Sequence, residues 1–284
     1  MEPAGAGMSI VRAFSTALSL LSHGKLIVPL LIYFALKILL VILYTISISE
    51  PWSSLWAFFL RGVTGNQLSH YPTHLLLMPL ALGRLDMILQ ILLNVIFQGA
   101  TILLVTSAFK QKQISLKDSF GGSARRYVHL VCVSLITSIV ILLCVNFPNA
   151  VINRLVDSPR MVIIAAAMLL GLVIQAFFIY AMPLVILEHH SAIRAIGNSF
   201  RMARRFFGQT FLIAATPFVL MLPTTLLSFK AQVISLRLSP EFMIHIQTAD
   251  EVMQLIATYL FIGGLTINFI RRRRNSRESK RRTY

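Results

Sequence analysis

Runs of about twenty mostly apolar residues return six times along this chain, and a run of that length leaves few choices of fold. They cover residues 26–48, 85–109, 127–147, 161–187, 206–229 and 252–270. The hydrocarbon core of a bilayer takes about 20 residues of α-helix, and a helix satisfies its own backbone polar groups where no water is present. Six such runs predict an all-α integral membrane protein with six transmembrane helices. Charge agrees: 13% of the residues are Asp, Glu, Lys or Arg, where a soluble domain carries about 25%. The first run is longer than the apolar core of a signal peptide and lacks a small-residue cleavage site after it, so it reads as a retained span. The piece LLLMPLAL (75–82) is too short to cross and contains Pro79. Together with 51–60, where Trp52 and Trp56 suit the headgroup level, it reads as an interfacial loop.

Orientation follows from where the basic residues fall between the runs. Of the 26 lysines and arginines, nineteen lie on one side and six on the other, with Lys37 inside the first run. Basic residues gather in cytoplasmic loops, so both termini are expected in the cytoplasm of a bacterial cell, with the chain multi-pass in its cytoplasmic membrane. Residues 1–270 form a single polytopic membrane domain, and 271–284 (RRRRNSRESKRRTY) form a basic cytoplasmic tail. The formal net charge of +16 would suggest nucleic acid in a soluble protein. Placed against a span, the tail is better matched to anionic lipid, at about 1 kcal/mol per basic residue near the surface.

The segments before the odd-numbered spans share a pattern. Ile10, Phe14, Ala17, Leu18 and Leu21 recur at helical spacing before span one, and Leu116, Phe120, Ala124 and Tyr127 before span three. Before span five the stripe is Ile193, Ile196, Phe200, Ala203 and Phe207, with Arg194, Arg201 and Arg205 on the opposite face. A helix of this kind lays its apolar face in the acyl boundary and its arginines at the phosphates. The expected architecture is three helix-plus-hairpin units, each a cytoplasmic interfacial amphipathic helix followed by two spans.

Glu188, His189 and His190 sit where span four ends. Adjacent histidines point about 100° apart on a helix, whereas zinc sites use i, i+4 pairs or separate segments. The trio reads as a hinge, with Ser191 as N-cap of the next helix and Glu188 placed to meet a neighbouring arginine. No metal site and no catalytic set emerges, and no cofactor is expected. Cys132 and Cys144 share one run and, on a helix, stand roughly 18 Å apart, too far to bridge each other.

The run PLVILE (183–188), followed by AIRAIGNSF (192–200) and a basic approach to the next span, resembles a pattern found in uncharacterised bacterial six-span inner-membrane proteins. It is also similar to the membrane domain sometimes fused to glycerophosphoryl diester phosphodiesterases. The resemblance implies the same six-span layout; the chain holds no soluble phosphodiesterase domain, so it implies no hydrolysis.

Within the spans the ionisable residue is Lys37; Arg84 and Asp86 read as interfacial, and no mid-span carboxylate is apparent. Gln98 and Gln175 fall at similar depths and, with Lys37, outline a possible path between the spans. The reading these features support first is a non-enzymatic protein of membrane organisation or homeostasis. In it Arg194, Arg201, Arg205, Phe200 and Phe207 contact anionic lipid headgroups, with other membrane proteins as further partners and nucleic acid excluded. The alternative is a small-solute or lipid transporter using Lys37, Gln98 and Gln175.

Overall fold

The structure is a computed structural model and describes residues 10–20, 22–46, 73–152, 160–230, 233–234 and 237–282. The expected loop carrying Trp52 and Trp56 lies outside the described residues. Among the described residues eleven α-helices follow one another: α1 Ile10–Leu20, α2 Val28–Ile46, α3 Thr73–Leu89, α4 Val95–Phe109, α5 Leu116–Ala124, α6 Tyr127–Ile152, α7 Arg160–Phe178, α8 Ala181–Glu188, α9 Ala192–Arg205, α10 Phe207–Phe229 and α11 Phe242–Arg282. A π-turn, Gln90–Asn94, joins α3 to α4, and no strand occurs among the described residues.

Among the described residues six stretches are long and apolar enough to cross a membrane: Val28–Ile46, Ala81–Phe109, Tyr127–Cys144, Ala165–Glu188, Phe207–Ser228 and Phe242–Arg274. The chain is a multi-pass membrane protein. Two boundaries differ from those expected. Residues 75–82 are not an interfacial loop but part of α3, because Pro79 removes one helical hydrogen bond and membrane helices tolerate that loss where neighbours restore it. The last span opens at Phe242 rather than at 252, since no proline interrupts the segment and its polar residues recur at helical spacing. The basic tail continues the same helix through Arg282.

The chain divides into two compact units, one made of 1–29, 95–216 and 259–284, the other of 30–94 and 217–258. In the first unit three short helices, α1, α5 and α9, each dock through small side chains. On α1, Ala13 and Ala17 are buried with Val105 and Ile267, and Tyr259 Oη donates 3.0 Å to the Ala17 carbonyl. Gly263 permits the approach: a Cβ there would lie 2.9 Å from the Ala17 Cβ. On α5, Ser119 and Ser123 are buried. Ser123 Oγ donates 2.8 Å to the Ile96 carbonyl, and Gly99 leaves room for its side chain.

The third docking repairs a broken span. Pro183 has no N–H for the Ile179 carbonyl and its ring crowds that carbonyl, so the helix stops at Phe178 and restarts at Ala181. Ser199 of α9 fills the gap: its Oγ donates 2.7 Å to the Phe177 carbonyl and accepts the Tyr180 N–H at 3.1 Å. Each of these short helices therefore leans on an even-numbered span, α5 and α9 on the one they follow and α1 on the last.

α9 has three faces. Ala192, Ala195, Ser199 and Ala203 point into the protein. The expected apolar stripe is a different sector: of its members only Ala203 is buried, while Ile193 and Phe200 are 80% and 51% exposed. Arg194, Arg201 and Arg205 occupy the third sector, all exposed. At about 100° per residue, small side chains alone fall on the sector that meets the spans, which is why the larger residues face outward.

In the second unit Val41, Tyr44, Leu75, Met78, Ala81 and Leu82 form an apolar core. We expect Gly263→Leu to lower stability by about 1–3 kcal/mol through overpacking, read as an earlier midpoint in detergent-denaturant titration. Gly208→Ala, where a Cβ meets nothing within 4 Å, serves as the control. Equal midpoints for the two variants would mean that α1 does not dock on Gly263.

Candidate functional site

Three polar stripes converge in the second unit. Tyr33 and Lys37 stand one turn apart on α2. Asp86 and Gln90 begin a stripe that Asn94 completes at the end of the π-turn. Gln247, Glu251 and Gln254 share one face of α11. On an α-helix i, i+4 steps drift by about 40°; the wider π-turn draws Asn94 back towards the Asp86 side, and such turns recur at functional sites.

Lys37 is 6% exposed and Glu251 5%. Lys37 Nζ lies 2.9 Å from Asp86 Oδ1 and 2.5 Å from Glu251 Oε2, and it also donates to Gln254 Oε1. The contacts to the two carboxylates are ion pairs, and Glu251 Oε2 is left without a hydrogen-bond partner among the described residues. Asp86 is further held by Tyr33 Oη on Oδ1 at 3.1 Å and by Gln90 Nε2 on Oδ2 at 2.9 Å. Gln247 Nε2 donates 3.2 Å to Glu251 Oε1. Beside the cluster a cavity of about 20 Å³, room for one water molecule, is lined by Lys37, Asn94, Glu251, Gln254 and apolar neighbours. Asn94 is 5% exposed, and its Oδ1 has no hydrogen-bond partner.

The cluster corrects two expectations. Asp86 is not merely interfacial: it is bonded to Lys37 and Tyr33. A carboxylate does lie well inside a span, because Glu251 belongs to a helix that begins at Phe242. The signal was available in the i, i+4, i+7 recurrence of Gln247, Glu251 and Gln254, which places three polar groups on one helical face. Of the suggested path residues, Lys37 is central here. Gln98 and Gln175 belong to the other unit and are half-buried.

In the first unit Glu188 ends α8. His189 takes a left-handed conformation, φ 56°, and the His190 N–H returns 3.3 Å to the Leu184 carbonyl, closing the helix end. Glu188 is paired with Arg273 of α11 rather than with an arginine of α9. His190 Nε2 lies 3.7 Å from Glu188 Oε2, and its Nδ1 is 3.3 Å from Asn198 Nδ2. Ser191 occupies the N-cap position, but its side chain makes no capping hydrogen bond. Arg272 lies 4.1 Å over the Phe206 ring and donates 2.6 Å to Gln209 Oε1. Phe200 and Phe207 both contact Phe177, with Phe200 stacked at 4.5 Å.

No protein-family model matches this chain, and no curated protein or solved structure matches it either.

Removing one partner of a buried ion cluster leaves the others uncompensated. Lys37→Met is expected to cost about 3–5 kcal/mol, and adding Asp86→Asn and Glu251→Gln should recover most of that loss. Denaturant titration in detergent measures both. A triple variant no more stable than Lys37→Met would show that the charges are not coupled.

Proposed function

We propose that this chain is a non-enzymatic transporter that moves a small solute across the bacterial cytoplasmic membrane, with Lys37, Asp86 and Glu251 as its ion-linked element. The observation that carries the reading is the cluster: one lysine and two carboxylates meeting among apolar helices. Ionisable groups in such surroundings are expensive and mark ion or proton pathways. The neighbouring π-turn and the unpartnered Asn94 Oδ1 support it. A cavity with room for one water accommodates an ion or a proton in this conformation, with a larger solute needing another.

The test uses proteoliposomes holding an entrapped pH-sensitive dye. Amino acids, sugars, carboxylic acids and alkali cations are added in turn. At least one class is expected to drive proton movement through the wild type, at a rate at least about tenfold lower in Glu251→Gln. If no class moves protons through the wild type, the reading fails.

A second reading has its own observation on α9. Exposed Ile193 and Phe200 lie beside exposed Arg194, Arg201 and Arg205 on a helix docked by its small face. That arrangement suits a helix lying at the interface, with apolar groups in acyl chains and arginines on anionic headgroups, and gives a role in membrane organisation. Protein purified in mild detergent should retain anionic lipid selectively, and the Arg194→Gln, Arg201→Gln, Arg205→Gln triple variant should lose that selectivity in lipid mass spectrometry. Unchanged retention would reduce these arginines to topology anchors.

A further inference from the structure

We infer that Lys37, Asp86 and Glu251 bind one exchangeable proton, carried on Glu251 and hydrogen-bonded, directly or through one water, to Asn94 Oδ1. This names the ion of the transport reading and rests on that reading for its role, although the occupancy follows from charge alone.

Charge balance is the first argument. The interacting groups are Tyr33 and Lys37 on α2, Asp86 and Gln90 on α3, and Gln247, Glu251 and Gln254 on α11. The ionisable members are Tyr33, Lys37, Asp86 and Glu251. Tyr33 keeps its proton, since its hydroxyl donates to Asp86. Among the described residues one ammonium then faces two carboxylates, and an uncompensated charge among apolar side chains is strongly disfavoured. One added proton makes the cluster neutral.

Hydrogen bonding decides where the proton sits. Lys37 Nζ faces three oxygens, donating to Gln254 Oε1 and ion-pairing with Asp86 Oδ1 and Glu251 Oε2. Asp86 takes donors from Lys37, Tyr33 and Gln90, a set suited to an ionised carboxylate. Glu251 has the Gln247 hydrogen bond on Oε1 and the Lys37 ion pair on Oε2, and that Oε2 has no hydrogen-bond partner. A protonated Glu251 gains a donor that must find an acceptor. Asn94 Oδ1 is a buried acceptor without a partner, and it lines the same water-sized cavity as Glu251. The orphan acceptor and the surplus charge explain each other.

Infrared difference spectroscopy on the full chain in lipid nanodiscs, stepped from about pH 5 to about pH 9, reads the protonated carboxyl stretch directly. The wild type should show one such band that titrates. Glu251→Gln and Asp86→Asn each leave one lysine with one carboxylate and should abolish it. Lys37→Met leaves two carboxylates and should increase the band area about twofold by the same charge balance. Asn94→Leu, which leaves the charges intact, should keep the band and shift its frequency by removing the acceptor.

A wild type without a titrating band, or a band that survives both Glu251→Gln and Asp86→Asn, overturns the proton site. A band that titrates in protein showing no proton-linked flux upholds the site and sinks the transport reading. Flux without a band does the reverse.

Discussion

A polar group inside hydrocarbon must find its partner within the protein, because no water is there to supply one. The helices themselves answer that requirement for the backbone. Where Pro183 interrupts a span, Ser199 donates to the Phe177 carbonyl and accepts the Tyr180 N–H beside the gap. Where a side chain is charged, the requirement becomes a cluster: Lys37 donates to Gln254 and ion-pairs with Asp86 and Glu251. Asn94 Oδ1 and Glu251 Oε2 are both left without a hydrogen-bond partner, and both residues line the same cavity.

Close approach makes the first unit possible. With lipid outside as apolar as the side chains inside, helices associate through packing and hydrogen bonds rather than through water exclusion, and small residues serve that purpose best. Ala17 against Gly263, Ser123 against Gly99 and Ser199 against the Phe177 carbonyl are three versions of one solution. They also leave the large apolar residues of α9 pointing outward, which keeps Ile193 and Phe200 beside the arginines. The two functional readings therefore use different parts of the molecule and do not compete for the same residues.

Much of this was legible beforehand. The apolar runs marked the six spans, and helical spacing marked α1, α5 and α9 before the odd-numbered spans. The position of Lys37 was a warning in itself. What was hidden had physical reasons. Glu251 was obscured because Asp250 and Glu251 sit where an apolar window thins out, and the window rather than the helix set the boundary. Gly99, Gly263 and the serines carry little hydropathy signal, although they decide which face of each short helix docks.

The sequence by itself determined that this chain has six membrane-crossing helices with short amphipathic helices before the odd-numbered ones, since both rest on the pattern along a single segment. Only the tertiary structure decided which polar stripes meet. It joined Lys37 to Glu251 and Glu188 to Arg273, pairs far apart in the chain. Local spacing fixes the face on which a charge lies; which partner reaches that face depends on how separate helices pack, and no single stretch of sequence contains that information.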